Sequence, residues 1–244
     1  MKILITGSKG FLGRNLIERI SNYPNIQVIE FDINNKLEEI EESCKDCDFV
    51  YNFAAVHRPL DTSEFKKVNF SQFELILKNL EKFNNKCPVL YTSTIQSNNG
   101  TLYGESKYLA ENALRDHAKK MNSRGIIYRL TNVFGKWARP NSHSVVATFC
   151  YNVRNDFPLV VSDPEYLMHF VYIDDVIDSF VKRLQEGIEV LDTDSGIYTI
   201  DKTKIIDITL GDLSSLILSF KEANPQNLNY IQGLFYKTYL SYGK

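Results

Sequence analysis

The chain has 244 residues, with 28 Lys and Arg against 30 Asp and Glu, which gives a formal net charge of −2. A hydrophobic share of 43% and only four cysteines are typical of a globular protein, and they exclude a disordered, collagen-like or disulfide-stapled chain. The balanced charge lacks the basic excess that favours nucleic acid or an anionic membrane as a partner, so we expect neither.

The start of the chain and its cysteines both indicate a cytoplasmic protein. The apolar run after Met1 ends at Ile5, which is too short for the hydrophobic part of a secretion signal. No stretch approaches the roughly 18 apolar residues that span a bilayer. Cys44 and Cys47 form a C-x-x-C without a second pair of ligands, so we interpret them as a helix end and a connector and expect no metal site.

The first half of the chain alternates short apolar runs with segments of helical period, a pattern that predicts βαβ units and a parallel sheet. The predicted strands are residues 2–6, 27–31, 49–53, 89–92 and 125–130. The predicted helices are residues 12–21, 37–43, 63–83 and 104–121. No apolar run lies between residues 33 and 36, so we expect one strand of a complete sheet to be missing or shortened there.

Beyond residue 131 the alternation loosens, and a loop-like segment rich in Gly, Trp, Pro, Asn and Ser runs from 135 to 144. We expect a smaller lobe over residues 132–244, with some segments that return to the first domain. Its predicted elements are a helix at 144–155, a strand near 159–161, a short helix after Ile173 and an amphipathic helix at 210–221. The predicted fold class is α/β, a Rossmann-like doubly wound parallel sheet with a smaller C-terminal lobe.

A glycine-rich segment, GSKGFLG, follows the first predicted strand and opens the first predicted helix, which is the context of a dinucleotide-binding turn. Glycines permit the tight turn and a close approach of the backbone to a pyrophosphate, which the helix N-terminus also attracts. The alternative is a purely structural turn. The residues that we expect to bind the cofactor here are Gly7, Lys9, Gly10, Phe11, Leu12 and Gly13.

Asp32 ends the second predicted strand, 19 residues beyond Gly13, where a carboxylate can accept hydrogen bonds from the adenosine ribose. The same charge repels a 2′-phosphate, so Asp32 favours NAD(H) over NADP(H). Lys9 and Arg14 lie near enough in sequence to soften that preference. A solvated aspartate that caps the following turn is the alternative interpretation.

Tyr103 and Lys107 lie four residues apart at the start of a long predicted helix, so both side chains project from one face. A tyrosine is a poor acid or base near neutral pH unless a cation stabilises its phenolate, which Lys107 can do. Lys107 can also hold the nicotinamide ribose. We therefore predict that Tyr103 transfers a proton and that both residues contact the cofactor.

Three hydroxyl residues, Thr92, Ser93 and Thr94, end the fourth predicted strand, at the sheet edge where ligands of open α/β sheets bind. We predict that Ser93 hydrogen-bonds the carbonyl of the substrate, with Thr94 as the fallback. A polar strand end without a chemical role is the alternative.

With these motifs the chain resembles, over nearly its whole length, an extended short-chain dehydrogenase/reductase of the nucleotide-sugar epimerase/dehydratase superfamily. Within it, the chain most closely resembles the reductase half of the bifunctional enzymes that make the UDP-N-acetyl-L-fucosamine precursor of bacterial capsule. The superfamily motifs are GSKGFLG, FAA at 53–55, Asn69, YTS, YGESK, YRLTNVFG at 128–135 and HFVYIDD at 169–175. The motifs of the narrower group are AAVHRP, STIQ and GKWARPNSHSVVATFCYN.

The resemblance implies a division of labour, with an NAD(P)-binding domain over residues 1–131 and a substrate-binding lobe over 132–244. It implies that Ala54 and Ala55 contact the cofactor and that Asn132 contacts the hexose or its phosphates. Four further residues are candidates for the diphosphate, although a surface charge is more often only solvated. They are Arg58, Lys136, Arg139 and His143.

One further expectation concerns a partner, and two features depart from the narrower group. The resemblance implies a homodimer formed through the helices at 63–83 and 104–121. The bifunctional enzymes carry a C-terminal cupin domain, whereas this chain stops near their hinge, so it is either a separated reductase or a truncated chain. Their second strand also tends to end in residues compatible with NADPH, where this chain has Asp32.

The superfamily hosts reduction, 4-epimerisation and 4,6-dehydration, so the fold alone does not select the reaction. Ser93 is followed by Thr94 and Ile95 rather than by the Asp-Glu pair of dehydratases or the cysteine of epimerase-reductases. We expect NAD(P)H-dependent reduction of the 4-keto group of a UDP-2-acetamido-2,6-dideoxy-hexulose, a nucleotide sugar. In that reaction Tyr103 gives the proton, Ser93 orients the carbonyl and Lys107 stabilises the tyrosinate. The alternatives are a 4-epimerase with tightly bound NAD and a non-catalytic nucleotide-sensing protein on a dehydrogenase scaffold.

Overall fold

The computed structural model describes residues 1–57, 59–142, 144–186, 196–222 and 224–243. Its strands are β1 (Lys2–Thr6), β2 (Gln27–Phe31), β3 (Phe49–Asn52), β4 (Val89–Thr94), β5 (Gly125–Leu130), β6 (Asn132–Phe134), β7 (Leu167–Tyr172), β8 (Ile197–Tyr198) and β9 (Ile205–Thr209). Its α-helices are α1 (Phe11–Ile20), α2 (Leu37–Cys44), α3 (Ser63–Lys66), α4 (Gln72–Lys82), α5 (Leu102–Met121), α6 (Val145–Arg154), α7 (Ile173–Gln185), α8 (Leu210–Ser219) and α9 (Tyr230–Leu240).

Contacts within the chain group these elements into two units. The first consists of Met1–Leu130 with Ile177–Thr199, and the second of Thr131–Val176 with Ile200–Lys244. Each unit contains one sheet, and the two sheets differ in how their strands run.

The sheet of the first unit has six strands in the order β2-β1-β3-β4-β5-β8, and every pairing is parallel. Strands β3 and β4 are buried along their whole length, as expected for a parallel sheet covered on both faces. On one face, Phe73 and Leu77 of α4 and Leu114 of α5 pack over Tyr91 of β4. The predicted Rossmann-like doubly wound sheet is confirmed.

The expected gap after the second strand is also confirmed, because residues 32–36 form a turn that leads directly into α2. Side-chain hydrogen bonds replace strand pairing there. The backbone N–H of Asp32 donates to Asn35 Oδ1 at 2.9 Å, and Asn35 Nδ2 donates to Glu39 Oε2 at 2.7 Å. Glu39 also accepts the backbone N–H of Lys36 at 3.0 Å, which caps α2.

The second unit contains a three-stranded mixed sheet, in which β7 is parallel to β6 and antiparallel to β9. Its core is aromatic, since the rings of Phe134 and Phe235 stack with centroids 4.3 Å apart and Phe170 meets both edge-on. The smaller C-terminal lobe is thereby confirmed, although the sequence did not predict that it has a sheet of its own.

Two predicted elements of the chain are wrong in detail. Residues 159–161 are not a strand: they follow Pro158, and Val160 is 82% exposed, so this apolar run lies on the surface without a partner strand. The strand of this region is β7. The single helix predicted over 63–83 is instead α3, a π-helical segment at Lys67–Ser71 and α4, because the wider turn brings Asn69 into the interior.

The four cysteines are reduced and buried. Cys44 is the last residue of α2 and Cys47 lies in the connector before β3, as predicted. Cys47 Sγ lies 3.7 Å from Cys87 Sγ. Across the described ranges, no group of three or more His, Cys, Asp or Glu side chains is placed to hold a metal ion. In the same part of the chain, no helix combines the length and apolar character needed to cross a membrane.

Candidate active site

The glycine-rich turn after β1 is built so tightly that side chains are excluded from it. Gly7 has φ +65°, and a Cβ there would lie 2.8 Å from the backbone nitrogen of Ala54. A Cβ on Gly13 would lie 2.3 Å from the Gly7 carbonyl oxygen, and one on Gly10 would lie 3.0 Å from it. The turn therefore packs directly on the segment that follows β3, which contains Ala54 and Ala55.

The same turn presents features that fit a dinucleotide pyrophosphate. Helix α1 begins after Gly10, which supplies no side-chain cap, and its first turn carries no acidic residue. The N–H groups at this helix end therefore face outward with the positive end of the helix dipole. The Ser8 hydroxyl is buried and has no hydrogen-bond partner among the described residues. Lys9, Phe11 and Leu12 lie on the partly open side of the turn.

Asp32 forms a hydrogen bond with the glycine-rich turn, and the sequence did not predict this bond. Its Oδ2 accepts the backbone N–H of Lys9 at 2.8 Å, and its Oδ1 accepts the N–H of Ile33 at 2.8 Å. The carboxylate thus fastens the glycine turn to the end of β2. Each carboxylate oxygen can accept more than one hydrogen bond, so capacity remains for a ribose hydroxyl.

A buried asparagine, Asn69, holds the segment after β3 in place, and the sequence analysis gave it no role. Asn69 Oδ1 accepts the backbone N–H of Val56 at 2.7 Å, while Asn69 Nδ2 donates to the Val56 carbonyl at 3.0 Å and to Ser106 Oγ at 3.1 Å. This asparagine lies in the π-helical segment. It therefore links the loop that carries Ala54 and Ala55 to helix α5.

Lys107 is buried at the start of α5, with only 3% of its surface exposed. Its Nζ donates to the Thr92 carbonyl at 2.9 Å and lies 4.7 Å from the ring centroid of Tyr91. Burial lowers the pKa of Lys107 from 10.5 to about 7, although the negative charge of Glu111 raises it. The ammonium is therefore poised to change its charge near neutral pH.

Tyr103 precedes Lys107 by one helical turn and is half-buried. Helix α5 begins at Leu102 because Thr101 caps it, with Thr101 Oγ1 accepting the N–H of Gly104 at 3.0 Å. The Tyr103 ring lies 5.1 Å from the ring of His57 and 6.0 Å from that of Phe65. Burial raises the pKa of Tyr103 above 10, so its phenol is protonated and can act as a proton donor.

The hydroxyl groups at the end of β4 point to opposite faces of the sheet. Ser93 Oγ donates to Glu111 Oε1 at 2.6 Å, so its proton is already engaged in a buried bond on the α5 side. Thr92 and Thr94 alternate with it along the strand. Thr94 Oγ1 accepts the N–H of Gln96 at 3.1 Å, which leaves its own proton to donate. Of these two hydroxyl groups, Ser93 has its proton engaged by a carboxylate, whereas the described residues show Thr94 only as an acceptor.

The substrate candidates that the structure describes all lie in the second unit. Asn132 Nδ2 donates to the His169 carbonyl at 3.1 Å, so part of its hydrogen-bonding capacity holds β7. Lys136 Nζ lies 4.4 Å from the ring centroid of Trp137, and Arg139 is exposed. The other two candidates, Arg58 and His143, lie outside the described residues.

These observations define a class: a parallel α/β sheet with a glycine turn after its first strand and a Tyr-x-x-x-Lys pair beside its fourth is the framework of a dinucleotide-dependent dehydrogenase. The comparison with known proteins agrees. The chain belongs to the NAD dependent epimerase/dehydratase family, whose profile matches residues 3–200. The family resemblance noted in the sequence is thereby confirmed.

Two curated relatives are similar over most of this chain. The UDP-2-acetamido-2,6-beta-L-arabino-hexul-4-ose reductase of Pseudomonas aeruginosa is 32% identical over 247 residues, which cover 99% of this chain and 65% of the relative. The dTDP-4-dehydro-6-deoxyglucose reductase of Escherichia coli is 26% identical, and the match covers 94% of this chain and 87% of the relative. The chain thus spans just under two thirds of the length of the first of these proteins.

Among solved structures, the capsular polysaccharide assembling protein CapF of Staphylococcus aureus superposes with a TM-score of 0.85 at 32% identity, covering 100% of this chain and 65% of that protein. A UDP-glucose 4-epimerase of Thermotoga maritima gives a TM-score of 0.80 at 18% identity, covering 99% of this chain and 98% of that protein. The second likeness shows the fold alone.

Proposed function

We propose that this chain reduces the 4-keto group of a UDP-linked 2-acetamido-2,6-dideoxy-hexulose with NADH or NADPH, in the synthesis of a capsular or O-antigen polysaccharide. The observation that carries the proposal is the likeness to the Pseudomonas aeruginosa reductase across 99% of this chain. The buried Lys107 and the protonated Tyr103, one helical turn apart, supply the groups that such a reduction needs.

When bound at the glycine turn, the nicotinamide cofactor would supply the hydride for carbon 4 of the sugar. The carbonyl oxygen then needs one proton, for which we assign Tyr103 as the donor, a role that typically contributes about 10²–10⁴-fold to the rate. Lys107 stabilises the tyrosinate that forms. Because the Ser93 proton is engaged by Glu111, we assign the orientation of the carbonyl to Thr94.

We further propose that the cofactor binds to the glycine turn and to Ala54 and Ala55, and that Asp32 favours NAD(H). The structure supports this through the close packing of the turn and its uncapped helix end. By the same proposal residues 1–131 hold the cofactor, and residues 132–244 hold the sugar through Asn132, Lys136 and Arg139. A homodimer, and a cupin domain in a separate or longer chain, belong to the proposal on the ground of resemblance.

The test follows reduced nicotinamide by its absorbance, with NADH and NADPH and a panel of UDP- and dTDP-linked 4-keto-6-deoxy sugars. We expect consumption with a UDP-linked 2-acetamido sugar. Tyr103→Phe should lower turnover by about 100-fold or more while its affinity for cofactor changes less than about twofold. Tyr108→Phe, on the same helix, is the matched control and should keep its turnover. Full activity in Tyr103→Phe, or sugar interconversion on retained NAD⁺ without NADH consumption, would refute the proposal.

A further inference from the structure

Glu111 is the most completely enclosed carboxylate group of the site region, with 0% of its surface exposed. It lies one helical turn beyond Lys107 on the same face of α5. Its Oε1 accepts Ser93 Oγ at 2.6 Å and Arg129 Nε at 2.9 Å, and its Oε2 accepts Arg129 Nη2 at 2.6 Å and Arg115 Nη2 at 3.3 Å. A single carboxylate therefore joins helix α5 to strands β4 and β5.

The strand residue that bonds to Glu111 is next in sequence to the one that bonds to Lys107. Ser93 adjoins Thr92, and the Thr92 carbonyl is the acceptor of the Lys107 ammonium. Lys107 and Glu111, four residues apart on α5, thus form hydrogen bonds with two consecutive residues of β4. Lys107 bonds to a backbone carbonyl, and Glu111 bonds to a side chain. Loss of the Glu111 bond removes one of the contacts between α5 and the strand end that holds the acceptor for Lys107.

We propose that Glu111 is a positioning residue for Lys107: its buried carboxylate fixes the end of β4 against α5 and places a negative charge one turn from the ammonium, which keeps Lys107 protonated during the reaction. The proposal rests on the proposed function, in which a charged Lys107 stabilises the tyrosinate. Glu111 acts through Lys107 and needs no contact with sugar or cofactor.

The charges around Lys107 support this assignment. From β4 it faces the Tyr91 ring and the Thr92 carbonyl, and from α5 the charge of Glu111 acts on it. Burial works against its charge, and the carboxylate of Glu111 works for it. Burial by itself would raise the pKa of Glu111. Its hydrogen bonds, led by those from Arg129 of β5, outweigh that effect and hold the pKa below its ordinary value, so Glu111 is charged over the working range.

A second effect adds to the first when the carboxylate is removed. Arg129 and Arg115 both form ion pairs with Glu111, at 2.6 and 3.3 Å. Without Glu111 their positive charges are no longer neutralised, and they repel the Lys107 ammonium as well. An ion pair that only stabilised the fold would change the amount of folded enzyme but not the pH at which Lys107 loses its proton.

The experiment measures kcat against pH for Glu111→Gln. We expect the alkaline limb to move to lower pH by about one unit, since Lys107 loses its proton earlier, while KM for the sugar changes less than about twofold. Asp116→Asn, an exposed carboxylate on the same helix, is the matched control and should leave the limb in place. An unmoved limb in a folded Glu111→Gln protein would overturn the proposal.

Two additions keep the test decisive. If Glu111→Gln does not fold, Glu111→Gln with Arg129→Met removes both partners of the buried pair and restores the balance of charge. Its limb should still move down, though less, because one cation has gone as well. In addition, NMR of protein labelled with ¹⁵N-lysine follows the Lys107 ammonium directly, with its signal assigned by its absence in Lys107→Met.

The NMR titration separates the two proposals. A wild-type protein that reduces no 4-keto sugar nucleotide refutes the proposed function, and Lys107 still reports on Glu111. The positioning role predicts that Lys107 titrates at lower pH in Glu111→Gln than in wild type. Titration at the same pH in both would overturn it, whatever the enzyme reduces.

Discussion

Replacing Lys107 with methionine should stabilise the folded protein at neutral pH while it removes activity. The ammonium of Lys107 is enclosed, and its pKa falls from 10.5 to about 7 on folding. Holding the charge inside the fold at pH 7 therefore costs roughly 4 kcal/mol relative to the unfolded chain. Methionine has a similar length and no charge. It forfeits the bond to the Thr92 carbonyl, worth about 1 kcal/mol, which leaves a net gain of about 3 kcal/mol.

The pH dependence of this gain follows from the direction of the pKa change. Between about pH 7 and pH 10.5 the unfolded chain binds the lysine proton and the folded protein does not, so wild-type stability rises with pH. Below pH 7 the penalty is present in full. At pH 10 it has shrunk to less than about 1 kcal/mol, and Lys107→Met should then be no more stable than wild type.

The assay is urea unfolding of both proteins at pH 6, 7 and 10 without added cofactor, to compare free energies of unfolding. Lys119→Met, an exposed lysine on the same helix, is the control and should change stability by less than about 0.5 kcal/mol at every pH. Equal stability of Lys107→Met and wild type at pH 7, or a gain that persists undiminished at pH 10, would refute the reasoning.

Three further predictions concern the turn, the cofactor and the strand end. Gly13→Ala should lower NADH affinity at least about tenfold in fluorescence titrations, because its Cβ would lie 2.3 Å from the Gly7 carbonyl oxygen; unchanged affinity would remove the turn from the cofactor site. Asp32→Ala should raise NADPH affinity relative to NADH in the same titration, and an unchanged ratio would count against its proposed role. Thr94→Val should lower kcat by about 10-fold or more, whereas Ser93→Ala should lower kcat less and cost about 1–3 kcal/mol in urea unfolding. The opposite pattern would show that Ser93, and not Thr94, orients the substrate carbonyl.

The parallel sheet could be predicted because its inner strands are largely buried on both faces. Short apolar runs between turns marked β1, β2 and β5 at their observed bounds. Strand β8 has only two residues, and it exists through its pairing with β5, so no local pattern announces it. The apolar run at 159–161 shows the reverse, since hydrophobic residues without a partner strand remain loop.

The candidate site likewise has features that the sequence could predict and features that it could not. Spacing along the chain is enough to pair Tyr103 with Lys107, because four residues make one helical turn. The bond from Ser93 to Glu111, on which our assignment of the carbonyl to Thr94 rests, depends on which face of β4 meets α5, and that is a property of packing. Glu111 could have drawn notice as an acidic residue one turn beyond Lys107 in sequence. Its bond to Arg129, 18 residues further on, depends on the register of β4 with β5 and had no local signal.

Transfer of deuterium is the most direct measurement of the central claim, which is reduction at carbon 4 of a UDP-linked keto sugar. The enzyme is supplied with nicotinamide cofactor deuterated at the hydride position, and the product is analysed by NMR and mass spectrometry. The account predicts one deuterium per molecule, bound to carbon 4, with one cofactor oxidised for each sugar formed. A product without deuterium at carbon 4, or a sugar changed without net cofactor oxidation, would contradict it.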